Sequence, residues 1–386
     1  MYAVDGILRA DQPKHVDTVI DLKGGYVIPP FADAHNHMLS GPGSLEPFRT
    51  NYLREGTFYV QVLGNRFTTT EAIRGEFNSP CALDVTWANG NLTSTLGHGF
   101  ETGESKAMGL FDLRAALRDH EPELKRSRLA ENDAYWFIDS LPDLDRKWNA
   151  ILAQNPDLIK ITLVFSSDSG ERSPGGPAQW YAKGLRPQLV GPIVERAHAA
   201  GLRVAAHVDT GHDIEVAVRA GADILAHNVG FGIPEGRESD FLVTEEIAQL
   251  AGSQHTIVIP TAAIETDFRQ PADTAGLRRD LEVQRENIRR FQKYGVRFAV
   301  GPDMYGSTGR AEIDALRRLG VWSDSALLKL WFLDTPRAIF PHRKIGRLAD
   351  GYEASFIVLG GNPFDSFDAV RDVRLRVKQG CVLRSP

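Results

Sequence analysis

Short apolar runs that end at a polar residue recur along this chain. Leu158-Ile159-Lys160-Ile161-Thr162-Leu163 carries Lys160, Arg203-Val204-Ala205-Ala206 leads to His207, Ile224-Leu225-Ala226 leads to His227, and Phe298-Ala299-Val300-Gly301-Pro302 leads to Asp303. Earlier, Pro29-Pro30-Phe31-Ala32-Asp33-Ala34-His35-Asn36-His37 sets two histidines two positions apart, which strand alternation turns to one side. Apolar runs of this length bounded by turn residues predict buried strands. Helical periodicity fills the gaps, over Gln188 to Ala200, Gly211 to Gly221, about Val243 to Gln254, and Ala275 to Tyr294.

The spacing orders these strands. His227 follows His207 by 20 positions, room for one strand-helix-strand step, and Asp303 follows His227 by 76, room for two. With Thr57 to Leu63 and Cys81 to Thr86 as strands two and three, Lys160, His207, His227 and Asp303 fall on strands four, five, six and eight. The seventh, within Thr256 to Ala263, offers no ligand. This alternation predicts an α/β fold, a (β/α)8 TIM barrel, in which polar residues at the carboxyl ends of the strands gather at one site. Val19 to Leu22 and Tyr26 to Ile28 before the barrel, with Ser355 to Leu359, Arg374 to Val377 and Cys381 to Leu383 after it, read as strands that pair into one small sheet. The expected division is 1–30 and 343–386 for that terminal module and 31–342 for the barrel. The stretch from Asn89 to Asp133 is turn-rich with mixed helix and covers part of the site. His98 lies there, either exposed on a loop or within reach of a substrate.

Composition narrows the function class. The 386 residues are 42% hydrophobic and 24% charged, with a net charge of -6 that gives no electrostatic reason to expect a nucleic-acid partner. No apolar run approaches the roughly 18 residues of a membrane span. The expected partner is a small-molecule substrate, with a homo-oligomer possible in principle. Cys81 and Cys381 have no metal-site spacing and read as two buried or unpaired thiols. The start, Met1-Tyr2-Ala3-Val4-Asp5-Gly6-Ile7-Leu8-Arg9, lacks the basic and apolar regions of a signal peptide, and no glycine-rich phosphate loop is present.

These motifs together resemble the amidohydrolase superfamily of metal-dependent hydrolases. The resemblance spans essentially the whole chain. It is nearest to the imidazolonepropionase-like and prolidase-like branch, through Ala197-His198-Ala199-Ala200-Gly201-Leu202-Arg203-Val204-Ala205-Ala206-His207 and Ala217-Val218-Arg219-Ala220-Gly221-Ala222-Asp223-Ile224-Leu225-Ala226-His227-Asn228. Pro30-Phe31 stands where that branch has proline followed by glycine, a departure in the turn and not in the ligands. The resemblance implies that the terminal strands form a composite β-sandwich, with Gly346 to Leu359 as its return segment. It also implies earlier strands before Val4, so the amino terminus looks truncated and cytoplasm and periplasm stay open.

The chemistry follows from charge. His35, His37 and Asp303 suit a divalent ion such as Zn2+, and His207 and His227 supply ligands for a second. Lys160, buried between Ile159 and Ile161 and facing cations, can lose its proton and add carbon dioxide, giving a bridging carbamate. Two ions per chain then generate hydroxide near neutral pH, and Asp303 shuttles the proton. Asp33 resembles the family's supporting aspartate at its place, or caps a turn. The expected reaction is hydrolysis of a carbon-nitrogen bond in a dipeptide, an acyl-amino-acid or a cyclic amide. Lactone or organophosphate ester hydrolysis uses the same ligands. A mononuclear deaminase, with His227 polarising the substrate, is the alternative. Deaminase relatives carry a glutamate where this chain has Thr210. A catalytically silent scaffold is a third reading. Substrate contacts are sought on the loops at Tyr181 beside Trp180, Arg186, Asp209, His212, Met304 and Tyr305, although Arg186-Pro187 also reads as a helix start.

Overall fold

Continuous apolar runs bury on both faces, and that is how the central strands are built. In the computed structural model, which describes residues 1–167, 182–264 and 272–384, Leu158, Ile159, Ile161, Val204, Ala205, Ile224 and Leu225 are all buried. The chain divides into two compact units, one of Met1–Gln61, Glu71–Val85 and Phe298–Pro386, the other of Val62–Thr70 and Thr86–Arg297.

The second unit is built on a parallel sheet. A seven-stranded sheet runs in the order Arg297–Phe298, Ile257–Val258, Ile224–Leu225, Arg203–His207, Leu158–Thr162, Asn91–Thr93, Tyr135–Phe137. From Ile257–Val258 to Tyr135–Phe137 each neighbouring pair is parallel. Helices Leu141–Ala153, Pro187–Ala199, Gly211–Arg219, Glu245–Ser253 and Thr274–Lys293 alternate with these strands. Their starts are written locally. Ser140, Thr244 and Asp273 cap their helices, and Thr210 with Asp213 forms a reciprocal capping box at Gly211.

The first unit holds the terminal sheet. Tyr26–Ile28 pairs antiparallel with Phe356–Leu359, which pairs with Val373–Lys378 and through it with Cys381–Val382. Strands Phe31–Asn36, Thr57–Val62 and Asp84–Trp87 form a separate three-stranded sheet. Phe31–Asn36 is buried throughout and is fixed on several sides. The Phe31 ring stacks on Trp331 at 3.7 Å, the Trp331 indole N–H donates to Ala32 O at 3.1 Å, and Ala34 N–H donates to Val300 O at 2.7 Å. Lys378, fully buried, donates to Ser79 O at 2.6 Å and pairs with Asp84 at 2.9 Å. Arg343 joins Asp84 and Glu353, so burial of each charge is matched by a partner.

Several expectations need correction. Residues 19–22 carry no strand; Val19 is 85% exposed, so its apolar side chain has no sheet to cover. The predicted strand from Thr256 to Ala263 shrinks to Ile257–Val258 and is followed by a helical turn at Ala262–Ile264, while Phe298 ends the strand leading to Asp303. The turn-rich segment contains an unanticipated strand, Asn91–Thr93, too short for periodicity to reveal. Apart from these corrections, residues 326–333 are helical, within Asp324–Lys329 and a π-helical turn at Leu330–Asp334.

The cysteines are not thiols. Cys81 and Cys381 form a disulfide, with Cα atoms 5.4 Å apart across a sequence separation of 300. Cys381 sits opposite Lys378 in the terminal hairpin, and Lys378 itself grips Ser79 and Asp84, which draws residue 81 to the hairpin. Closing so long a loop can stabilise the chain by up to about 5 kcal/mol in the chain-entropy picture. Thiol titration of the denatured, unreduced protein is expected to find neither cysteine reactive, and both after reduction. Two reactive thiols before reduction would contradict the bridge.

Candidate metal centre

In the first unit, alternation along Phe31–Asn36 and the turn beyond it bring the His35 and His37 rings together. Their Nε2 atoms lie 3.2 Å apart, and Asp303 Oδ1 lies 3.2 Å from His35 Nε2 and 3.0 Å from His37 Nε2. The three atoms form a nearly equilateral triangle. For an ion bonded at roughly 2.0–2.1 Å, tetrahedral donors lie roughly 3.3 Å apart, so the triangle has the dimensions of one face of a metal site. Asp303 is delivered by a strained backbone. Its φ of 51° is in the left-handed region, and its N–H donates to His35 O at 3.2 Å, locking the carboxylate's segment to the strand that bears the histidines.

Asp33 supports this group from behind. Its Oδ1 accepts the His35 N–H at 3.1 Å and its Oδ2 accepts the Tyr52 hydroxyl at 2.6 Å, while Asn36 Nδ2 donates to the same hydroxyl. Burial pushes the Asp33 carboxyl up to about 7, against the Tyr52 hydroxyl and the His35 N–H, which favour its charged form. Tyr305 is exposed, with its ring 6.0 Å from that of His37.

The second unit carries the other donors. His207 Nδ1 and His227 Nε2 converge at 2.8 Å, and the remaining nitrogen of each ring is held elsewhere. His207 Nε2 meets Asp209 Oδ1 at 3.1 Å, and His227 Nδ1 meets Thr261 Oγ1 at 2.8 Å. Such partners on the outer nitrogen fix tautomer and ring orientation in metal-binding histidines. Burial holds His207 below the usual imidazole value despite Asp209, which leaves a neutral ring with a lone pair to donate. Lys160 is buried, and the register Lys160↔Ala205, Thr162↔His207 puts its side chain on the sheet face that carries His207.

Among the residues sought as substrate contacts, His98 is half-buried with its ring 4.6 Å from that of His207. Arg186 is exposed at the cap position of helix Pro187–Ala199, in keeping with the helix-start reading, and His212 is exposed in the first turn of Gly211–Arg219. Tyr181 and Trp180 lie outside the described residues.

Two supporting residues escaped the sequence reading. Thr261, after the strand that supplies no ligand, adopts φ 51° and so reaches His227. Asp213 accepts the N–H groups of Phe165, Ser166, Asp209 and Thr210, tying the loop after the Lys160 strand to the loop after the His207 strand. The capping spacing Thr210-Gly211-His212-Asp213 was a visible signal for it; nothing in the sequence announced Thr261.

No protein-family model and no curated protein matches the chain by sequence. Solved structures do match in shape. A prolidase complexed with N-methylphosphonate-L-proline shares 20% identity at a TM-score of 0.69, covering 99% of this chain and 93% of its own. An amidohydrolase shares 22% at 0.70, and a Xaa-Pro dipeptidase with methionine bound in its active site 17% at 0.69, each with the same coverage. The chain has the fold of prolidase-like amidohydrolases. On that fold the outer hydrogen bonds become testable. Thr261→Val, which keeps the branched shape and removes the hydroxyl, is expected to weaken zinc binding about 10–100-fold in a chelator competition titration. Unchanged affinity would show that Thr261 does not orient a ligand.

Proposed function

We propose that the protein is a metal-dependent amidohydrolase with a two-ion centre, acting on a peptide-like carbon-nitrogen bond. The observation that carries this reading is the His35–His37–Asp303 triangle, with edges of 3.0 to 3.2 Å. His35, His37 and Asp303 hold one ion; His207 and His227 hold the other. Sequence order and the family resemblance add Lys160, as a carbamate formed from its amine and carbon dioxide with loss of a proton, as the shared anion. Zinc or a similar divalent ion supplies a lowered water pKa and carbonyl polarisation when bound.

The chain's own groups supply the rest. Asp303 takes a proton from the attacking water and returns it to the leaving nitrogen. His98 faces the substrate beside His207. The substrate class follows the fold's relatives, so Xaa-Pro dipeptides and acyl-amino-acids come first, with cyclic amides, lactones and organophosphate esters after them. A closed (β/α)8 barrel is the proposed frame. Two hydrogen bonds support it, Ala34 N–H to Val300 O between the first and eighth segments and Asp157 N–H to Trp87 O between the third and fourth. The deaminase reading loses further ground because Thr210 is committed as a helix cap. The disulfide favours an oxidising compartment, since such bridges persist there.

Hydrolysis of Xaa-Pro dipeptides and acyl-amino-acids by the zinc-supplemented protein is expected, with loss on chelation and recovery on restoring the ion. No hydrolysis of any carbon-nitrogen substrate by metal-loaded protein would contradict the reading. Lys160→Ala is expected to lose one of two ions and most activity; a variant with both ions and full activity would remove the carbamate from the mechanism.

A further inference from the structure

Glu101, in the first turn of helix Phe100–Ala107, is completely buried. A carboxylate out of water is costly unless a partner meets it. Among the described residues its charged partner is His98, whose Nδ1 lies 3.0 Å from Oε1 as an ion-pair contact, while no hydrogen bond satisfies either oxygen. Nothing in the proposed chemistry uses Glu101 directly.

His98 is held with unusual care for a loop residue. Its N–H donates to Lys183 O at 2.8 Å and its carbonyl accepts from Asn91 Nδ2 at 3.2 Å, while Asn91 Oδ1 accepts from Thr162 Oγ1 on the strand that bears Lys160. Glycines flank it by necessity. A Cβ at Gly97 would sit 2.4 Å from Thr93 Oγ1 and 2.8 Å from Lys183 O, and Gly99 has φ +93°. The backbone is therefore fixed, and the ring lies 4.6 Å from the His207 ring. What remains to be set is which ring nitrogen carries the proton toward the helix and which faces outward.

We propose that Glu101 is a positioning residue that acts through His98, pairing with the Nδ1 side of its ring so that the proton rests there and Nε2 is presented to the substrate. A buried acceptor on one imidazole nitrogen fixes the tautomer and ring orientation of the other. The inference rests on the amidohydrolase reading for the identity of the substrate, while the Glu101–His98 pairing rests on their 3.0 Å contact and the burial of Glu101.

The test uses the full chain, zinc-loaded and metal-free, with ring-15N-labelled histidine. His98 signals are identified by their loss in His98→Gln. Wild type is expected to show a single His98 form protonated at Nδ1, and Glu101→Gln a shifted pattern of mixed tautomers. Identical His98 signals in both proteins would overturn the proposal. With a dipeptide that wild type hydrolyses, Glu101→Gln is expected to lower kcat about 10–100-fold with little change in KM, and the double variant with His98→Gln to be no slower than His98→Gln alone. Additive losses would overturn the coupling. Should wild type hydrolyse no dipeptide, the functional reading fails by itself and the ring signals still decide the role of Glu101. If Glu101→Gln does not fold, the pair His98→Leu with Glu101→Leu replaces it. A double variant that folds with near wild-type Tm supports a pair kept for the site; one that also fails to fold shows that the pair serves the fold, and the proposal falls.

Discussion

Two imidazole nitrogens and one carboxylate oxygen held within 3.2 Å of one another form the constraint around which the first unit is arranged. Packing those atoms together is unfavourable for the bare groups, since Nε2 lone pairs that face each other and a carboxylate repel unless a proton or a cation lies between them. The surrounding structure opposes that repulsion. Phe31 is clamped by Trp331, Ala34 is bonded to Val300, and Asp303 is held in the left-handed region by its bond to His35 O. A backbone strained at the residue that supplies the carboxylate is the pattern expected where geometry has been selected for chemistry.

The second unit solves the same problem with a regular frame. Parallel register places Lys160 and His207 on one sheet face, and the partners Asp209 and Thr261 turn the converging nitrogens of His207 and His227 toward each other. Asp213 then binds the loops that follow those strands through four backbone N–H groups. The histidines sit on strand ends, and Asp209, which aims His207, sits on a loop held by the buried Asp213 carboxylate. This division is consistent with a site whose ligands are set by the fold while its substrate contacts vary with the loops.

Ligand-type residues were legible because strands announce themselves by apolar runs and because each ends on a residue that an apolar run has no other reason to contain. His35 with His37 follows from alternation alone, whereas the common face of Lys160 and His207 depends on the register between their strands. The terminal pairing of Tyr26–Ile28 with Phe356–Leu359 was readable in the same way. The rest depends on contacts between distant positions or on backbone geometry. Cys81 meets Cys381 across 300 positions, beside the contacts by which Lys378 fastens the hairpin to Ser79 and Asp84. Thr261 reaches His227 through a φ that composition does not encode, and Glu101 meets His98 through a helix start hidden in a turn-rich stretch. Val19 to Leu22 failed for the opposite reason, being an apolar run without a strand to pair with.

The most direct measurement is a calorimetric titration of metal-free protein with Zn2+, with the bound metal counted per chain by elemental analysis. Two ions per chain are expected, one for each group of converging donors. A chain that binds no ion at any accessible concentration would contradict the metal centre, and with it the hydrolase reading.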